Sequence, residues 1–148
     1  MQKQDTYKLL KIMLIESNFK REPKIDFNNK AKKSDVNIEI QNSREDDKII
    51  VIETVTFKSY TSDKIDVQAK IKMVGIFEAC DTPPVSIKQF VEINAPAIIF
   101  PFIREHLSTV SLKAGITPIL LPPVNFVELA KIKNTTNAPT LLIETQNN

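Results

Sequence analysis

The residues from Ile65 to Phe77 alternate strictly. Ile65, Val67, Ala69, Ile71 and Met73 fall on one parity, Asp66, Gln68, Lys70 and Lys72 on the other. That period of two predicts a half-exposed β-strand. Val36, Ile38 and Ile40 alternate with Asn37, Glu39 and Gln41 in the same way. Ile49 to Phe57 is long and β-branched. Tyr7 to Phe19 is an apolar run with a polar end, with Leu10, Ile12 and Leu14 on one face and Leu9, Met13 and Ile15 on the other. The pieces between are polar: a charged connection from Lys20 to Lys33, turns at Asn42–Asp47 and Ser59–Asp63. Four strands joined this way predict an antiparallel meander. One face is rich in lysine, and the other needs a cover.

The second half supplies that cover. Asp81-Thr82-Pro83-Pro84 breaks the sheet, and Ser86 to Ile93 predicts a short helix. Asn94 is a candidate cap for a longer one. Ile99, Ile103, Leu107 and Val110 share a helical face, which Phe102 widens. Gly115 stands in the usual stop position. Pro101 lies inside this helix and has no N–H to give. The following loop, Ala114 to Pro123, carries Ile119, Leu120 and Leu121 where loops are usually polar. Another helix, another subunit or a partner must cover those side chains. Asn125 is placed to cap a last short helix, Phe126 to Lys133. Asn134 to Asn148 reads as a polar, mobile tail with a small apolar patch, Leu141 to Ile143. The expected fold is a single α+β domain over residues 1–148.

Composition excludes several function classes. The net charge of +2 gives no argument for nucleic acid. No run of about 18 apolar residues predicts a membrane span, and Met1 to Lys8 lacks the apolar core of a signal peptide. One cysteine, Cys80, leaves no internal disulfide and fits a reducing cytoplasm. It reads as a small buried side chain rather than a nucleophile. Two glycines leave little for phosphate-cradling loops. One Cys and one His do not fill a tetrahedral zinc site. His106 follows Arg104-Glu105 without a paired carboxylate or serine motif, so a helix surface or subunit interface is the better reading. No enzyme and no cofactor is expected. Lys30, Lys32 and Lys33 read as a solvated connection.

The ordered series Gly75-Ile76-Phe77, Ala95-Pro96, Phe100-Pro101-Phe102, Arg104-Glu105 and Pro118-Ile119-Leu120-Leu121-Pro122-Pro123-Val124-Asn125-Phe126 resembles the SecB protein-export chaperone family. Leu9 to Pro23 resembles the family's first strand more weakly. The resemblance implies a four-stranded antiparallel sheet packed on a long C-terminal helix, with a short second helix. It implies a homotetramer, a dimer of dimers, whose apolar grooves hold unfolded or precursor polypeptides without ATP. Candidate client-binding residues are Phe77, Val85, Ile87, Phe90, Phe100, Phe102, Leu120, Leu121 and Phe126. Candidate interface residues are Ile103, Arg104, Leu107 and Val110, with an Arg104–Glu105 pair able to sit at a subunit boundary.

The resemblance also implies acidic positions on the sheet's outer face that dock the SecA motor. The matching positions here are Glu16, Lys20, Gln68 and Lys70, and only Glu16 is an acid. Lysine for carboxylate reverses the sign, and like charges across an interface cost several kcal/mol. Delivery to SecA is therefore not expected to follow the family pattern. The family includes chaperones dedicated to one antitoxin, so an interaction module for one fixed partner is the alternative to a general holdase.

Overall fold

The computed structural model describes residues 7–24, 33–79, 81, 84–136 and 140–146. Four long strands, β1 (Lys8–Arg21), β2 (Lys33–Glu45), β3 (Lys48–Thr61) and β4 (Lys64–Glu78), form an antiparallel sheet. A fifth strand, β5 (Thr140–Gln146), pairs with β2, giving the order β1-β4-β3-β2-β5. β5 lies within the stretch expected to be a tail. Polar flanks hide it in the sequence, and its partner is more than a hundred residues away, where no local pattern reaches.

The alternation puts the apolar parity where it was expected. Ile49, Val51, Val55 and Phe57 of β3 face the core, as do Val67, Ala69, Ile71, Met73 and Phe77 of β4. The turns are tighter than expected. β2 and β3 are joined at Asp46-Asp47, and β3 and β4 at Ser62-Asp63; Asp46 and Ser62 take the left-handed conformation (φ 55° and 56°). Small polar residues tolerate that region best. β1 departs from simple alternation. Register shifts between Leu9 and Lys11 and between Leu14 and Glu16 leave Leu10 and Ile15 without partners. Each bulge changes parity, so Ile12 and Leu14 keep to one face while Leu10 leaves it.

Residues 87–113 run as one continuous helix, α1, rather than two. It opens as Ile87–Gln89, widens to a π-helical turn at Phe90–Asn94, and continues as Ala95–Lys113. Ser86 caps it, its Oγ accepting from Gln89 N at 3.1 Å. Asn94 is helical and makes no side-chain cap, contrary to the sequence reading. The Ala95 N–H reaches back to the Phe90 carbonyl, five residues away. The next residue, Pro96, has no N–H, so the ladder is widened where it must lose a bond in any case. The helix ends at Gly115 (φ 75°), as expected. Helix α2 (Phe126–Thr136) follows the loop.

Contact with the sheet is close. A Cβ on Gly75 would lie 2.9 Å from Ile99 Cδ1 and 2.8 Å from the Phe77 ring. Glycine at that point is what lets α1 approach β4. Ile99, Ile103 and Leu107 fill the space between helix and sheet and are fully buried.

Candidate functional site

The candidate client-binding residues divide by burial. Phe77, Phe90, Phe100, Leu121 and Phe126 belong to the core of the chain itself. Phe77 and Phe90 meet edge to face, with centroids 5.0 Å apart. Tyr7 stacks on Phe90 at 3.9 Å and donates through its hydroxyl to the Val85 carbonyl at 2.9 Å. This clamp fastens the crossing from sheet to helix, and Val85 and Ile87 pack half-buried beside it. Phe100 and Phe126 meet edge to face at 5.7 Å and join α1 to α2. Aromatic pairs of this geometry are worth about 1 kcal/mol beyond their buried area.

Two members of the set do face outward. Phe102 is 48% exposed and Leu120 75%. Leu120 stands on a loop held from both sides. Its neighbour Leu121 is buried, and the Ile119 N–H donates to Ser111 Oγ at 2.9 Å. Ser111 Oγ donates in turn to the Ser108 carbonyl at 2.9 Å. Asn125 caps α2 as expected, its Oδ1 accepting from Val127 N at 3.1 Å and Glu128 N at 3.2 Å. Val127 and Ile132 of α2 are exposed as well. Leu120, Val127 and Ile132 thus present apolar side chains on a rigidly anchored loop and helix. The sequence reading missed the last two.

The candidate interface residues divide in the same way. Ile103 and Leu107 point into the core, and Arg104 and Val110 are half-buried. Glu105 accepts from Thr109 Oγ1 at 2.8 Å, along its own helix. Arg104 Nε is buried without a hydrogen-bond partner among the described residues. His106 Nε2 and Ser17 Oγ share a hydrogen bond of 2.8 Å, which ties α1 to β1. Ile98 and Phe102 precede His106 at four-residue spacing, so they lie on the β1 side of the helix. Both are exposed, and so are Leu9, Leu10, Leu14 and Ile15 of β1. An apolar strip therefore runs along the β1 edge and the adjoining flank of α1.

The outer face gathers the four positions that the resemblance matches to a SecA-docking surface. Lys20 pairs directly with Gln68, and Glu16 and Lys70 lie on neighbouring pairs of the same ladder. Lys70 Nζ sits 3.6 Å from Glu16 Oε2, so the one acid of the group faces a lysine of the same surface. Lys72, the cross-strand partner of Glu16, adds another positive charge nearby.

On the core face, one carboxyl is out of place. Glu53 of β3 is fully buried, and neither oxygen has a hydrogen-bond partner among the described residues. Burial pushes it from an ordinary 4.5 to about 9, so it is protonated at neutral pH. It sits opposite Ile40 of β2 and Met73 of β4. The Cys80 assignment and the basic residues Lys30 and Lys32 fall outside the described residues. No described helix is long and apolar enough to cross a membrane.

The model of the family described as "Preprotein translocase subunit SecB" matches residues 10–137. Among relatives, the chain is 39% identical over 79 residues to the protein-export protein SecB of Methylobacillus flagellatus, covering 53% of this chain and 50% of that protein. It is 35% identical over 94 residues to an uncharacterized protein of Methanocaldococcus jannaschii, covering 61% of each. The chain thus spans about half to three-fifths of the length of these relatives. The Mycobacterium tuberculosis SecB-like chaperone Rv1957, solved with a peptide of the antitoxin HigA1, shares the fold with a TM-score of 0.68. Its identity to this chain is 11%, covering 80% of this chain and 90% of that one. The four-stranded antiparallel sheet, the long helix and the short helix make a SecB-like fold, and with the family model matching residues 10–137 the chain belongs to the SecB family.

Proposed function

We propose that this chain is an ATP-independent holdase that binds unfolded polypeptides in the cytoplasm. The observation that carries the reading is Leu120, a leucine largely in water on a loop fastened by Leu121 and Ser111. A loose loop would fold such a side chain away. An anchored one keeps it exposed, which supports a role in binding. Val127 and Ile132 of α2 are also exposed, on the two flanks of its buried face. Binding would come from burial, at about 25 cal/mol per Å² of apolar area, offset by ordering the client. That gives tolerance of client sequence rather than selectivity.

The strip of Leu9, Leu14, Ile98 and Phe102 is proposed to be covered by a second copy, as the first step toward a homotetramer. Delivery to SecA is not part of the proposal. Lys20 and Lys70 give the outer face the wrong sign for the family's acidic contact, and Glu16 is paired with Lys70.

Light scattering of a thermally aggregating client tests the function. A stoichiometric excess of this protein should suppress the scattering, and unchanged aggregation would contradict the reading. A second reading, a chaperone dedicated to one antitoxin, is favoured by the altered outer face and by the peptide-bound mycobacterial relative. It predicts that generic clients aggregate unhindered while one lysate protein is retained.

A further inference from the structure

A sheet of only the four long strands would leave β2 at an edge, and an edge strand presents a row of unpaired N–H and C=O groups. β5 covers seven positions of that row, with Lys33 opposite Gln146 through Glu39 opposite Thr140. At the next residue the Ile40 carbonyl accepts from Lys133 Nζ of α2, at 3.4 Å. Gln41 to Glu45 pair only with β3 among the described residues. The ladder to β2 is the main tie between β5 and the fold, with a lesser contact to α2. The strand reads Thr-Leu-Leu-Ile-Glu-Thr-Gln, an apolar centre with polar ends. Chemically it is the kind of extended segment that an unfolded chain exposes. The edge also adjoins α2, whose exposed Val127 and Ile132 belong to the proposed client surface. Lys133 joins the two.

We propose that the β2 edge is a strand-addition site for an extended apolar segment of a client, and that β5 is the chain's own occupant of it. Client and tail then compete. The proposal rests on the holdase reading and adds to it the place and mode of binding. Strand addition relies on main-chain hydrogen bonds, which every client offers whatever its sequence. Occupancy by β5 lowers apparent affinity by the fraction of molecules in which the edge is free. A tail that releases readily sets a threshold: long apolar segments displace it, and short incidental ones do not.

Two forms of the protein test this, with fluorescently labelled, permanently unfolded carboxymethylated lactalbumin as the probe. One ends at Thr136 and lacks β5. The other carries Asn37→Cys and Leu142→Cys, directly opposite in the ladder, in a Cys80→Ser background. Cross-strand spacing suits a disulfide there. The shortened form should bind about three- to tenfold tighter than the full chain. The locked form should bind at least about fivefold more weakly when oxidised than when reduced. A shortened form that fails to fold leaves the locked pair to decide. Equal affinity of oxidised and reduced protein, or of shortened and full chains, would overturn the competition and leave the holdase reading intact. Absence of probe binding by every form, reduced or oxidised, would overturn the holdase reading and the proposal with it.

Discussion

The two edges of this sheet are built on opposite principles. β1 ends the sheet on one side with no strand beyond it among the described residues, and it carries exposed leucines and an isoleucine with a phenylalanine of α1 alongside. β2, on the other side, is closed from within by β5 and by Lys133. Natural sheets blunt an edge with charge, bulges or cover. β1 has two bulges but keeps its apolar surface, which suits a permanent contact with another copy. The β2 edge is covered by a short strand of the same chain, which the proposed competition makes displaceable by a client. The proposed assembly and client surfaces would then fall on opposite sides of the core.

The largest effect that would break this comparison is at the β1 side. Changing Leu14 and Phe102 together to aspartate should raise the dissociation constant of the assembly by more than about a hundredfold, since two apolar contacts become charged and unpaired. Both residues are half exposed in the subunit (46% and 48%), so circular dichroism should stay the same while sedimentation shows monomer. An unchanged sedimentation coefficient would mean that this edge is not the seam.

A smaller effect sharpens the account of the covered side, where Glu53 stands opposite Ile40 of β2. In the fold Glu53 keeps its proton up to about pH 9, whereas its ordinary value is 4.5. Between those values the unfolded chain gains by ionising and the folded one does not. Stability from this group is therefore full below about pH 4.5 and is lost as pH rises through the window, at up to about 1.4 kcal/mol per pH unit. Glu53→Leu should remove that dependence and raise stability at pH 7 by roughly 1–3 kcal/mol, the cost of a buried unpartnered polar group. Denaturant melts of both proteins at pH 5, 7 and 8.5 check it. Parallel pH profiles would contradict the sign.

The smallest effect concerns the client surface alone. Leu120→Ser should weaken client binding about fivefold, roughly 1 kcal/mol, with the melting temperature unchanged. Fluorescence titration with an unfolded client reads the difference.

Much of the fold was legible because strand alternation and helix periodicity are local. The parities of Ile65–Met73 and Val36–Ile40 placed the core face of β4 and β2 correctly, and the proline-bearing loop was located to the residue. Burial within the aromatic set was partly legible as well. With Ile99, Ile103 and Leu107 inward, a turn of about 100° per residue puts Phe100 beside them and Phe102 well away. Applying that angle would have separated core from surface. Glu53 left a signal too, as the single acid on the inward parity of Ile49–Phe57. The continuous helix was harder to see. Asn94 looks like a cap in isolation, and only packing keeps the chain helical from Ser86 through the π turn. β5 was illegible, because a short strand with polar ends is defined by the edge it joins.

In the proposed function, unfolded chains are held on exposed apolar side chains of the loop and α2, next to the β2 edge. Methyl-labelled NMR of the assembly, titrated with a permanently unfolded client, tests it most directly. The predicted result is shift perturbation at the methyls of Leu120, Val127 and Ile132, with Leu14 and the buried Ile99 and Leu107 unmoved. Perturbation confined to the β1 strip, or absent at saturating client, would contradict the account.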